Sequence, residues 1–169
     1  MTPVRVAAGL LGVVAALLAL LLLWDQAEEE DYPGEQQTAV QAKTLILPEG
    51  APQPIAPYSP AIRAGDFVFV AGQIGIDPAT GEMVEGGIVA ETRQVMANLQ
   101  TLLNAAGLDF DDAVRATVYL ADLNDYGTFN EEYGAVIGDV PPSRVAIQVA
   151  RLPLDARVEV SMIAYGPTG

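Results

Sequence analysis

The stretch Ile88–Leu120, IVAETRQVMANLQTLLNAAGLDFDDAVRATVYL, changes its period midway. Ile88, Thr92, Val95, Met96, Leu99, Leu102, Leu103 and Ala106 recur at helical spacing and make one stripe, which Gly107 closes as a C-terminal cap. From Val114 the period falls to two. Arg115, Thr117 and Tyr119 alternate with Ala116, Val118 and Leu120, the pattern of a half-buried strand. A helix with one apolar stripe followed by a strand with one apolar face predicts helices layered on a sheet, an α+β domain.

The flanking text extends that pattern. Thr44–Leu47 and Phe67–Ala71 (FVFVA) read as strands, the second entered through Arg63-Ala64-Gly65-Asp66. Asp77-Pro78-Ala79-Thr80-Gly81 is a turn by composition. Tyr126, Phe129, Tyr133, Val136 and Ile137 predict a second amphipathic helix, stopped before Pro141-Pro142. Arg144–Val149 and Arg157–Ala164 read as two last strands around a Leu152-Pro153 turn. The predicted order is β-β-α-β-α-β-β, a sheet with both helices on one face. The other face then needs a cover, and association with copies of the same chain supplies one.

Ahead of this domain, residues 1–24 carry the uncharged run Ala7–Trp24, AAGLLGVVAALLALLLLW. As a helix it spans about 27 Å, close to the thickness of a bilayer core. Arg5 precedes the run, while Trp24, Asp25 and Glu28-Glu29-Glu30-Asp31 follow it. The expectation is a single-pass membrane anchor with a cytoplasmic N-terminus and an extracytoplasmic, periplasmic C-terminal domain. The competing reading is a cleaved signal segment and a secreted domain, against which Trp24-Asp25-Gln26-Ala27 is a poor cleavage site. Residues 25–43 are acidic and Gln-rich and read as a flexible linker, leaving 44–169 as the domain.

Charge and missing residue types narrow the chemistry. With 22 acids against 8 bases the net charge is −14, and the bases after Arg5 are scattered singly. Such a surface repels phosphate backbones and argues against nucleic acid. There is no Cys and no His. Thiol nucleophiles, disulfides and zinc sites built from those ligands are therefore excluded, and the usual general base near neutral pH is missing. Chemistry is left to Arg, Asp, Glu, Tyr, Ser, Thr, backbone groups and water.

Several residues stand out on that inventory. Arg144 opens a strand after Pro141-Pro142-Ser143, where a planar guanidinium suits capture of a carboxylate; the alternative is a solvated charge at a strand start. In Val158-Glu159-Val160-Ser161-Met162 the alternation sets Glu159 opposite the valines. There it either holds a water in a cleft or is an ordinary surface acid. Asn130 sits beside the apolar stripe of the second helix, so burial would demand a partner; it either ties down a loop or shapes a site. Tyr58, in the stiff loop Ala56-Pro57-Tyr58-Ser59-Pro60, is a packing anchor or a positioned hydroxyl. Gly72-Gln73 directly after a strand allows close backbone approach, as in a pocket wall or a bulge.

Together these segments resemble the reactive-intermediate deaminase (Rid, or RidA) family, also described as ribonucleases or translation inhibitors. The resemblance rests on Pro57-Tyr58-Ser59-Pro60-Ala61, Gly72-Gln73-Ile74 and Asp77-Pro78-x-Thr80-Gly81-Glu82. It continues through Thr92-Arg93-Gln94, Asn98-Leu99, Ala105-Ala106-Gly107 and Ala121–Tyr133, to Pro142-Ser143-Arg144 and Val149–Pro153. It covers about residues 44–166. It implies a chorismate-mutase-like α+β fold, a homotrimer with clefts between subunits, and cofactor-free hydrolysis of 2-imino or 2-enamino acids to 2-keto acids and ammonia. By the same resemblance Arg144 holds the substrate carboxylate and Glu159 places the attacking water, while Tyr58, Gly72 and Asn130 line the cleft. Ala71 stands where many active members have Ser, and Ala146 where some have Cys. A non-catalytic trimer that binds small acids or serves as a scaffold is the competing reading. A ribonuclease conflicts with the charge and with the absence of His.

Overall fold

The computed structural model describes residues 43–48 and 56–167. Six strands, β1 (Thr44–Ile46), β2 (Ala61–Ala64), β3 (Phe67–Gln73), β4 (Ala113–Leu120), β5 (Ser143–Gln148) and β6 (Val158–Tyr165), form one sheet in the order β1-β2-β3-β6-β4-β5. Its two helices are α1 (Gly87–Ala105) and α2 (Tyr126–Gly134). Neighbouring strands are antiparallel except β4 and β5, whose parallel pairing needs a crossover; α2 lies on that connection.

The alternation predicted for β4 and β6 holds and decides where the core forms. Ala116, Val118, Leu120, Val158, Val160, Met162 and Ala164 are buried on one sheet face together with Val68 and Val70 of β3. Thr92, Val95, Met96, Leu99, Leu102 and Leu103 of α1 and Phe129 and Tyr133 of α2 close that face in a single core. Removing one such side chain, as in Leu99→Ala, costs about 2–5 kcal/mol.

The opposite face is uncovered in the single chain. Phe67, Phe69 and Tyr165 stand exposed on it, with Phe67 5.3 Å from Tyr165 and 6.4 Å from Phe69 between ring centroids. Val145 and Ile147 of β5 extend the apolar surface across the sheet.

Three sequence expectations change. Ala61–Ala64 is a strand, where only a turn beginning at Arg63 was predicted. β2 hairpins onto β3 through a two-residue loop with Gly65 at φ 59, the positive φ that a glycine-led hairpin turn requires. The second helix stops at Gly134, so Val136 and Ile137 lie beyond it, although Ile137 still packs against the core. The third change is the membrane placement. The predicted anchor, residues 1–24, and all of the linker except Lys43 lie outside the described residues. Among the described residues no helix is long and apolar enough to cross a membrane. The longest, α1, has 19 residues but is amphipathic: Arg93 is exposed while the opposite stripe packs on the sheet. A bilayer core would leave such a charge unsolvated. The single-pass membrane protein is therefore not carried into the functional reading.

Candidate functional site

Two clusters form, one on each face of the sheet. The first gathers around Arg144. The Ser143 hydroxyl donates to the Val114 carbonyl (2.9 Å) and pins the start of β5 against β4. Arg144 pairs in register with Ala116, which points toward the helices, so its side chain runs under α2. There its Nη2 donates to Asn130 Oδ1 (2.7 Å) and to Tyr126 Oη (3.1 Å). The guanidinium carbon lies 4.7 Å from the ring centroid of Tyr133, 5.5 Å from Phe129 and 5.7 Å from Tyr126. Aromatic faces and an amide thus compensate a half-buried cation without a carboxylate partner. Two of a guanidinium's five N–H donors are engaged, and Nε and Nη1 have no acceptor among the described residues.

The charge also acts on its neighbours. Hydrogen bonds from Asn130 and then Arg144, with the charge of Arg144, hold the exposed Tyr126 hydroxyl below the usual phenol range. Burial pushes Tyr133 up, against the pull of Arg144. The Tyr133 hydroxyl is buried without a hydrogen-bond partner. A pocket of about 340 Å³ opens beside this cluster, lined by Asn130, Tyr133, Gly134, Ile137, Gly138, Pro141, Pro142 and Arg144.

The second cluster is Glu159 with Gly72. Glu159 sits between the buried Val158 and Val160 and pairs with Tyr119, so its side chain rises from the uncovered face. It is half-buried, and that burial alone pushes its pKa above the ordinary carboxylate value. Gly72 lies against it. A Cβ at Gly72 would overlap Glu159 Oε1 and come within 2.7 Å of Cδ. Glycine here is the space that the carboxylate occupies.

The structure therefore brings Asn130 to Arg144 and Gly72 to Glu159, but sets the two pairs on opposite faces of one sheet. Tyr58 joins neither pair: its side chain is 52% exposed and its backbone N–H donates to the Ala56 carbonyl. Tyr126, Phe129 and Tyr133 were predicted only as a packing stripe. Their part in caging Arg144 was latent in the three- and four-residue spacing around Asn130. Among the described residues no group of three or more Asp or Glu side chains is placed to hold a metal ion.

Fold and site together define an α+β protein with an arginine-headed pocket of small-molecule size. The family model described as Endoribonuclease L-PSP matches residues 48–166. A RutC family protein of Pyrococcus horikoshii is 51% identical over 123 residues, covering 73% of this chain and 98% of that protein. The 2-iminobutanoate/2-iminopropanoate deaminase of Mus musculus is 46% identical over 126 residues, covering 74% of this chain and 93% of the mouse protein. Among solved structures, RidA from an Antarctic Psychrobacter aligns with TM-score 0.69 and 38% identity, covering 72% of this chain and 98% of that one. The chain belongs to the Endoribonuclease L-PSP family, as the resemblance to Rid proteins implied.

Proposed function

We propose that this chain hydrolyses 2-imino and 2-enamino acids to 2-keto acids and ammonia without a cofactor, as a homotrimer whose clefts combine Arg144 of one copy with Glu159 of the next. The observation that carries this reading is the free N–H edge of Arg144 at the head of a pocket sized for one small acid. The mouse relative bears the name of such a deaminase. Arg144 and Glu159 occupy opposite sheet faces, so a cleft containing both needs a second copy. The exposed Phe67, Phe69 and Tyr165 offer the surface for it.

The chemistry demands little of the protein. Arg144 holds the carboxylate beside the imine carbon. Glu159 accepts a proton from a water as its oxygen bonds to that carbon, and the imine nitrogen takes up a proton. Glu159 returns its proton to the carbinolamine nitrogen, the hydroxyl gives its proton to solvent as the C=O bond forms, and the C–N bond breaks to release ammonia. One imine and one water thus give one keto acid and one ammonia. Imines already hydrolyse in water, so positioning supplies most of the acceleration. Burial of Glu159 favours its role as proton acceptor, because a raised pKa makes the carboxylate a stronger base.

The description of the family as endoribonucleases does not carry over to this chain. A net charge of −14 and the absence of His oppose binding and cleavage of a polyanion.

The test is a coupled assay of ammonia release from freshly generated 2-iminobutanoate by wild type and Arg144→Ala. A carboxylate contact of this kind is worth about 2–4 kcal/mol, so kcat/KM should fall roughly 30- to 1,000-fold. Arg144→Lys keeps the charge without the planar fork and should recover little. Equal turnover by wild type and Arg144→Ala removes the proposed role. Binding of 2-keto acids with no turnover of any imine would leave a non-catalytic binding module instead.

A further inference from the structure

The pocket beside Arg144 is larger than a carboxylate needs, and its far wall has a different character. Beyond the guanidinium and Asn130 it is built from the Tyr133 ring, Ile137, Pro141 and Pro142, with Gly134 and Gly138 between them. Tyr133 stacks on the guanidinium and continues into this wall, so the charged head and the apolar compartment are contiguous. The two glycines differ in what a side chain at each would meet. Gly138 is fixed, since a Cβ there would overlap Asp111 Oδ1. Gly134 is not: a Cβ there meets nothing within 4 Å, and the position is exposed at the end of α2.

We infer that this compartment is the side-chain subsite of the substrate, and that it makes the protein selective for 2-imino acids with linear aliphatic side chains over the methyl-bearing 2-iminopropanoate. The inference rests on the reading that Arg144 holds the carboxylate, which fixes one end of the ligand and directs the other along Tyr133. Of the remaining lining residues, Ile137, Pro141 and Pro142 offer hydrocarbon surface, and the lining includes no carboxylate or second cation. A charged side chain would lose its water there without a partner. A hydrocarbon chain instead gains burial with each methylene. The volume, about 340 Å³, lies at the small end of ligand pockets, so it suits one short acid and not a peptide or nucleotide.

The experiment uses 2-oxopropanoate, 2-oxobutanoate, 2-oxopentanoate and 2-oxohexanoate, the stable keto counterparts, in calorimetric titrations of the full chain. Wild type should bind each homologue about fourfold more tightly than the last, the increment for burying one methylene. Gly134→Leu introduces a better helix former and places a bulky side chain at the rim of the lining, so the gain per methylene should fall toward onefold. Gly134→Ser should lie between. A flat series in wild type, or an unchanged slope in Gly134→Leu, overturns the subsite. Should Gly134→Leu fail to fold, the wild-type slope and Gly134→Ser decide alone. Arg144→Ala separates the two readings. Its loss of affinity for every homologue supports the carboxylate anchor. Unchanged affinities there, with a slope that Gly134→Leu still abolishes, would sink the anchor and leave the apolar compartment standing.

Discussion

Gly72→Ala tests the placement of Glu159 without removing any functional group. The new Cβ would overlap Glu159 Oε1, approach Cδ to 2.7 Å and Cγ to 3.0 Å. The carboxylate end must therefore swing away, and a displacement of about 1 Å at a positioned group can cost on the order of 100-fold in rate. That is about 2.7 kcal/mol of barrier. The fold should barely notice. Gly72 does not have a positive φ, so alanine is tolerated by the backbone. The obstructed atoms belong to the flexible end of a side chain, whose off-rotamer cost is about 0.5–1.5 kcal/mol. Replacing glycine returns about 0.4–1 kcal/mol through the unfolded chain. Net stability should stay within about 1 kcal/mol, a few degrees in melting temperature for a domain of this size.

The assay is kcat/KM on 2-iminobutanoate for wild type, Gly72→Ala, Glu159→Gln and the double variant, with a thermal melt of each. If Gly72 acts only by making room for Glu159, the double variant is no slower than Glu159→Gln. Full activity of Gly72→Ala at an unchanged melting temperature would refute the reasoning, because the displaced carboxylate would then be dispensable. Multiplicative losses in the double variant would give Gly72 a separate role.

Other outcomes follow from the same geometry. Because burial raises the pKa of Glu159 above its unfolded value, its stabilising balance is present below the unfolded pKa of about 4.3 and is lost as pH rises through the folded value. Glu159→Gln should therefore raise the melting temperature near neutral pH and not below about pH 4, while the wild-type rate climbs with pH through the raised pKa. Arg63 donates to the Gly166 carbonyl (2.8 Å) and the Ala106 carbonyl (2.7 Å), tying the end of β6 to the end of α1. Arg63→Met should cost about 2–4 kcal/mol in urea unfolding. Phe69→Glu places a charge on the uncovered sheet face. Light scattering should give about three monomer masses for wild type and one for the variant, and a variant that still assembles would move the interface elsewhere.

How far the sequence was legible depended on whether a pattern was local. The α1 stripe and the alternation of β4 and β6 satisfy one core, and their positions were readable to within a residue or two. β2 was not: Ala-Ile-Arg-Ala has no alternation of its own and becomes a strand only because β3 folds back along it. The end of α2 was misplaced because Ile137 stays apolar and core-packed after the helix has stopped. Asn130 was suspected because a polar group beside an apolar stripe needs a partner, but the partner was invisible: Arg144 is fourteen residues away and reaches it only through the crossover between β4 and β5.

The hardest residue to place was Arg144 itself, and the reason bears on function. On β5 the usual rule is inverted. Val145 and Ile147, 37% and 44% exposed, point away from the helices, while Arg144 and Ala146 share register with Ala116 and Val118 on the helix side. In a single chain that arrangement solvates two β-branched side chains and half-buries a cation that only aromatic faces, a phenol and an amide compensate. Packing of the uncovered face in the proposed trimer would favour it. Val145, Ile147, Phe67, Phe69 and Tyr165 would then be buried together, and Glu159 would leave solvent with them. The apolar surface that a lone chain leaves exposed and the carboxylate that it leaves half-buried thus make the same demand: on the proposed reading, the assembly that buries the one would also complete the cleft around the other.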